Sequence, residues 1–148
     1  SWSLRIQYVA AITLGFLVAA TAEEVVFRGY LLQQMAAFTD RVAIPVLASS
    51  VAFALIHLEF APEAMAARTL TGVAFCWAAL RLGGLEFAIG AHLANNLLLG
   101  LASEAMLPDA EAFDGDALAV VLEAALALWI IGAAEATRRL RWFRPPAS

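Results

Sequence analysis

Thr21-Ala22-Glu23-Glu24-Val25-Val26-Phe27-Arg28-Gly29 sets two adjacent carboxylates and an arginine directly behind the nearly uncharged run from Ile6 to Ala22. A charge inside so apolar a segment costs roughly 2.5–3.5 kcal/mol on insertion scales, so three together need a reason. On a helix, Glu24 and Arg28 are i,i+4 neighbours in the favourable acid-first order and can neutralise each other. Glu23 has no such local partner and is free to face something else. The stretch predicts that Glu23 does chemistry and that Glu24 and Arg28 support it.

The surroundings say where that chemistry happens. Of 148 residues, 63% are hydrophobic and only 15% charged, against about one-quarter charged in a soluble domain. Mean hydropathy is +0.80. Apolar runs recur at about the length that crosses a bilayer, so an integral membrane protein is expected. All nine cations are arginine and alanine abounds, which fits a GC-rich bacterial coding bias and a multi-pass protein of a bacterial cell membrane. Nucleic acid is not among the expected partners; the lipid bilayer is. The single Cys76 excludes an internal disulfide and reads as a small core residue. The chain begins in a hydrophobic segment without the basic start and small-residue cleavage site of a signal peptide, so it reads as the core of a longer protein.

Six helices are expected, with no strand. A lead-in helix covers 4–20. Thr21-Ala22-Glu23-Glu24 fits the T-x-x-E capping box, which predicts a break at Thr21 and a second helix over 22–38. A third covers 42–58 with Pro45 in its first turn, a fourth 64–82 ending at Gly83-Gly84, a fifth 85–102 and a sixth 117–137. In domain terms, 1–20 leads in, 21–104 is the catalytic helical core, and 105–148 adds an acidic loop, a last helix and a basic tail. Arg41, Arg81, Arg138, Arg139, Arg141 and Arg144 fall on one set of ends, and Glu59, Glu63, Glu104, Asp109, Glu111, Asp114 and Asp116 on the other. That asymmetry predicts a cytoplasmic C-terminus, with Trp142 and Phe143 as interfacial anchors. Among the remaining charges, Glu135 is expected to pair with Arg138 and Arg139, Glu123 with Arg68, and Glu86 to lie at the interface.

Two further polar pairs interrupt the apolar helices: Phe53-Ala54-Leu55-Ile56-His57 and His92-Leu93-Ala94-Asn95-Asn96. The i,i+4 spacing puts Phe53 with His57, and His92 with Asn96, on one face each. With the break at Thr21 and antiparallel packing, Glu23, His57, His92 and Asn96 converge at one depth. A carboxylate and an imidazole reaching one water can strip its proton. A second imidazole and an amide are donors suited to an oxyanion. Glu23, His57 and His92 could instead be three ligands of a zinc ion with an open fourth position, although the H-E-x-x-H of zincins is absent. Asn96, a poor zinc ligand but a good donor, favours the metal-free form. Taken singly, each signal also has a structural reading: an intramembrane histidine or asparagine commonly ties helices together by hydrogen bonds.

Taken together, E-E-x-x-x-R, F-x-x-x-H and H-x-x-x-N, in this order on three apolar helices, resemble the CAAX protease and bacteriocin-processing family of intramembrane proteases. Its eukaryotic members include the Ras-converting CAAX endopeptidase. The resemblance covers about residues 8–102. It implies an all-α, polytopic transmembrane bundle and an endopeptidase acting on a peptide or protein substrate, prenylated or membrane-bound. By the same resemblance Glu23 and His57 activate water, His92 and Asn96 hold the oxyanion, and Glu24 with Arg28 supports the site. The family is called metalloprotease by name, and a metal-free glutamate mechanism is also argued for it. The rival reading is a non-catalytic immunity or scaffold protein on the same fold.

Overall fold

The structure, a computed structural model, describes residues 2–106 and 117–140. The acidic loop, Trp142, Phe143, Arg141 and Arg144 lie outside the described residues, as does the side chain of Glu104. Among the described residues every regular element is a helix: α1 (Trp2–Glu24), a π-wound segment (Val25–Leu31), α2 (Leu32–Ala36), α3 (Ala43–Leu55), α4 (Pro62–Leu82), α5 (Glu86–Met106) and α6 (Ala117–Arg139).

The first three elements are one continuous helix, Trp2–Ala36. The expected break at Thr21 does not exist. Thr21 does not cap a new helix; its hydroxyl donates to Leu17 O at 2.7 Å, the i−4 back-bond by which threonine satisfies itself inside an unbroken helix. Nor does the convergence of Glu23 and His57 need a break. At 1.5 Å per residue this helix is about 50 Å long, and Glu23 lies well inside it. α3 packs antiparallel only along the final third, so Phe27 meets Ser49 and Phe53. Glu23 lies one turn back from Phe27, and His57 one turn beyond Phe53, the partner ring of Phe27. A continuous helix therefore brings both to one depth without a break.

α3 stops at Leu55, earlier than the 42–58 expected. His57 sits in the turn beyond it, followed by Leu58 in the left-handed region at φ 56°. α4 starts with Pro62 in its first turn, where a missing N–H costs nothing. It ends at Gly83 with φ 74°, the left-handed C-terminal cap that glycine adopts without strain.

α5 runs antiparallel to the long helix, so that Leu85 meets Gly29, His92 meets Glu24 and Gly100 meets Phe16. α6 runs parallel to α4, with Thr71 against Glu123 and Arg81 against Glu135. α4, α6 and the start of α5 share the apolar core of Ala74, Phe75, Ala78, Ala88, Ala127, Ile130 and Ala134. The prevalence of alanine lets these helices approach closely, as small residues do in membrane bundles.

Two helices are long and apolar enough to cross a membrane, Trp2–Ala36 and Val120–Arg139; Ala43–Leu55 is apolar but shorter. The expected six spans thus become five helices, two of which meet that test. α4 carries Glu63, Arg68 and Arg81, and α5 carries His92, Asn95 and Asn96. Peripheral charges on α4, and the polar residues His92, Asn95 and Asn96 on α5, take these two helices out of the purely apolar class.

The peripheral charges also pair differently from expectation. Glu135 accepts from Arg81 through both oxygens and from Trp77 Nε1 at 3.1 Å. Arg138 is a secondary partner at 3.8 Å, because the parallel α4 presents a planar guanidinium at the right height. Arg68 pairs with Glu59, and Glu123 accepts from Thr71.

Candidate active site

The centre of the site is Glu24, whose side chain is fully buried. Its Oε1 accepts from Arg28 Nη1 at 3.0 Å and from His92 Nδ1 at 2.9 Å. A carboxylate cannot donate, so His92 carries its proton on Nδ1 there. Arg28, 1% exposed, spends Nη2 on Gly72 O at 3.1 Å. A guanidinium buried this deeply needs more than one partner, and three aromatic rings supply the rest. Its carbon lies 4.5 Å from the Phe53 ring centroid, 5.2 Å from that of Phe75 and 5.9 Å from that of Phe27, within reach of cation–π attraction.

Local winding aligns these groups. Val25–Leu31 is closed by i→i+5 bonds and turns less per residue than an α-helix. Residues four apart therefore stay near one line, and Ala20, Glu24, Arg28 and Leu32 are all buried. Ser49 Oγ donates to Phe27 O at 2.8 Å, which already accepts from Leu32 N–H, so α3 holds the π-segment at its midpoint.

Glu23 lies beside this network and outside it. Its Oε2 is 3.7 Å from His92 Nε2, beyond hydrogen-bond length, and is buried without a protein partner. Glu24 Oε2 and Arg28 Nε are in the same condition; buried polar atoms of this kind normally take water or a ligand group. His92 thus turns one ring nitrogen to each of the two glutamates.

His57 is not in direct contact with these groups. Nδ1 donates to Phe53 O at 2.9 Å, and its ring meets Phe53 edge-to-face at 5.0 Å. Phe53 in turn meets His92 at 5.6 Å and 80°, so one phenyl ring separates the two histidines. Asn96 follows His92 by one turn of α5 and is half-buried. Glu23, Glu24, Arg28 and His92 are therefore in one cluster, with His57 and Asn96 at its edge. Zinc would need three donors in one place; among the described residues no three His, Cys, Asp or Glu side chains form a group that could hold a metal ion. Glu23, His57 and His92 are not gathered as a ligand set.

The sequence reading missed two contributors. Phe75, stacked on His92 at 4.9 Å and 22°, looks like any core aromatic of an apolar helix. Gly72 offers its carbonyl to Arg28 and also allows α3 to approach, since a Cβ there would lie 3.0 Å from Ser50 Cβ. Its place in Thr71-Gly72-Val73 carried no signal beyond that of a small residue.

No curated protein and no solved structure matches the chain. A family model described as type II CAAX prenyl endopeptidase Rce1-like matches residues 5–98, a stretch that contains every polar group of the cluster. This is a membrane-embedded protease family, in keeping with two helices long and apolar enough to cross a bilayer. The chain belongs to the Rce1-like type II CAAX prenyl endopeptidase family.

Proposed function

We propose that the chain is a multi-pass intramembrane endopeptidase of a bacterial cell membrane that hydrolyses a peptide bond in a prenylated, CAAX-type protein. The observation that carries this reading is the unpartnered Glu23 Oε2 facing His92 Nε2 across 3.7 Å. Glu24 and Arg28 cancel each other's charge. Glu23 and His92 cancel when they hold one proton between them, and a net charge left inside an apolar bundle is costly. As carboxylate and imidazolium, the two provide a base and a donor side by side.

Glu23 takes a proton from a water molecule, and the resulting hydroxide attacks the scissile carbonyl carbon. His92 Nε2–H and the Asn96 amide donate to the oxygen as it becomes an oxyanion. The C–N bond then breaks, and the proton held by Glu23 passes to the leaving nitrogen. His57 keeps Nε2 free, because Nδ1 is spent on Phe53 O, and from the edge of the cluster accepts the second hydrogen of the same water. Every proton is thereby accounted for by side chains present in this chain.

The test is mass-spectrometric analysis of a farnesylated CAAX-type reporter peptide incubated with the purified chain in detergent. Release of the terminal tripeptide, with a new carboxylate on the farnesylated cysteine, is the expected result. Strong chelators are expected to leave the rate unchanged, because no three-donor group is assembled among the described residues. An intact reporter would favour a non-catalytic immunity or scaffold protein.

A further inference from the structure

We infer that Phe75 is a positioning residue of this site: its ring face fixes the plane of the His92 imidazole so that Nε2 stays turned toward Glu23. The inference rests on the hydrolytic reading above for its kinetic consequence, and on geometry alone for its structural one. The hydrogen bond from Nδ1 to Glu24 anchors one atom of the ring. A ring anchored at one atom can still pivot about it and carry Nε2 sideways.

Phe75 restricts that pivot. It is fully buried and lies nearly parallel to His92, with centroids 4.9 Å apart and planes 22° apart. Phe53 stands perpendicular on another side at 5.6 Å. Aromatic contacts at these separations have defined orientations, offset-stacked or edge-to-face. The same Phe75 ring lies 5.2 Å from the Arg28 guanidinium, so it backs both donors that converge on Glu24. It also belongs to the apolar core shared by α4, α6 and the start of α5. Phe75 therefore joins the orientation of His92 to the packing of α4 against α6, a helix that carries no site residue. An aliphatic side chain would fill much of the same volume without offering a flat face.

The chain has two histidines, which makes a direct test practical. Full-length protein labelled with 15N-histidine in detergent micelles gives two imidazole signal sets, and His57→Asn assigns them. In the wild type, the His92 ring protons are expected to be narrow and displaced upfield by the Phe75 ring current. In Phe75→Leu and Phe75→Met the displacement should vanish and the signals broaden as the ring samples other orientations.

Turnover of the farnesylated reporter should fall about tenfold to a hundredfold, the scale of a small misplacement of a catalytic group, with KM changed less than about threefold. Ile130→Ala, a truncation in the same core, should lower thermal stability comparably while turnover per folded molecule stays within about twofold of wild type. Unchanged narrow His92 signals in both Phe75 variants would overturn the inference. So would a fall in turnover no larger than that of Ile130→Ala. If the wild type fails to cleave the reporter, the hydrolytic reading fails, while the NMR comparison still decides whether Phe75 orients His92.

Discussion

Glu23 and Glu24 are neighbours in sequence and differ in nearly everything that assigns a side chain its role. Glu24 is fully buried and shares one oxygen between Arg28 and His92; Glu23 is about one-quarter exposed and keeps Oε2 free of protein partners. Glu24→Gln should therefore act on stability. It leaves Arg28 as a buried cation without its counter-ion, a loss of about 3–5 kcal/mol, read as a large fall in melting temperature. Glu23→Gln is close to isosteric and orphans no cation, so its melting temperature should stay near that of wild type. The pairing of Glu24 with Arg28 was legible from their i,i+4 spacing. The second partner of Glu24 was not, because His92 is far away in sequence and its approach depends on how α5 packs. Phe75 was illegible for a related reason: an aromatic residue in an apolar helix looks the same whether it packs on alanine or on imidazole.

At the scale of elements, the site depends on two close fits. The π-segment Val25–Leu31 keeps Glu24 and Arg28 on one buried line, and Ser49 secures it from α3 through Phe27 O. Ser49→Ala should cost about 1 kcal/mol, the net worth of one such bond, because Leu32 N–H still satisfies that carbonyl. The second fit is the α3–α4 approach at Gly72, where an added methyl would meet Ser50 Cα at 3.1 Å and Arg28 Nη2 at 3.3 Å. The nearest obstacle is Ser50 Cβ at 3.0 Å, which is fixed to the α3 backbone and cannot swing aside. Gly72→Ala should destabilise by about 1–3 kcal/mol and lower turnover by pushing Arg28 off its carbonyl. Gly90→Ala, with nothing within 4 Å of the added atom, should be neutral or gain up to about 1 kcal/mol of helix propensity. Thermal denaturation of the pair decides the matter. Winding of this kind leaves no mark in sequence. Thr21-Ala22-Glu23-Glu24 matched a capping box by residue type, yet inside a long apolar helix the threonine hydroxyl was satisfied by Leu17 O and the helix ran on.

Across the whole molecule, the all-helical character of the described residues was legible because nothing in the sequence alternates, and the clustering of Glu23, Glu24, Arg28 and His92 was legible because polar residues stand out against 63% hydrophobic composition. The number of crossing helices was less so. The peripheral Arg68 and Arg81 on α4, and His92, Asn95 and Asn96 on α5, remove these helices from the purely apolar class. The tie between α4 and α6 through Arg81, Trp77 and Glu135 could not be foreseen without knowing that these helices run parallel. One architecture results, in which a long helix supplies both carboxylates, α5 supplies the imidazole between them, and α3 with α4 closes an aromatic wall around Arg28. Its central claim is that Glu23 is the base of a hydrolytic site. The most direct test is the turnover of a farnesylated CAAX-type reporter by wild type and by Glu23→Gln, compared at matched folded fraction. The account predicts cleavage by the wild type and a loss of about 10²–10⁴-fold in the variant, the range for removing a general base, with the melting temperature retained. A Glu23→Gln variant that is well folded and cleaves within about tenfold of the wild-type rate would contradict it.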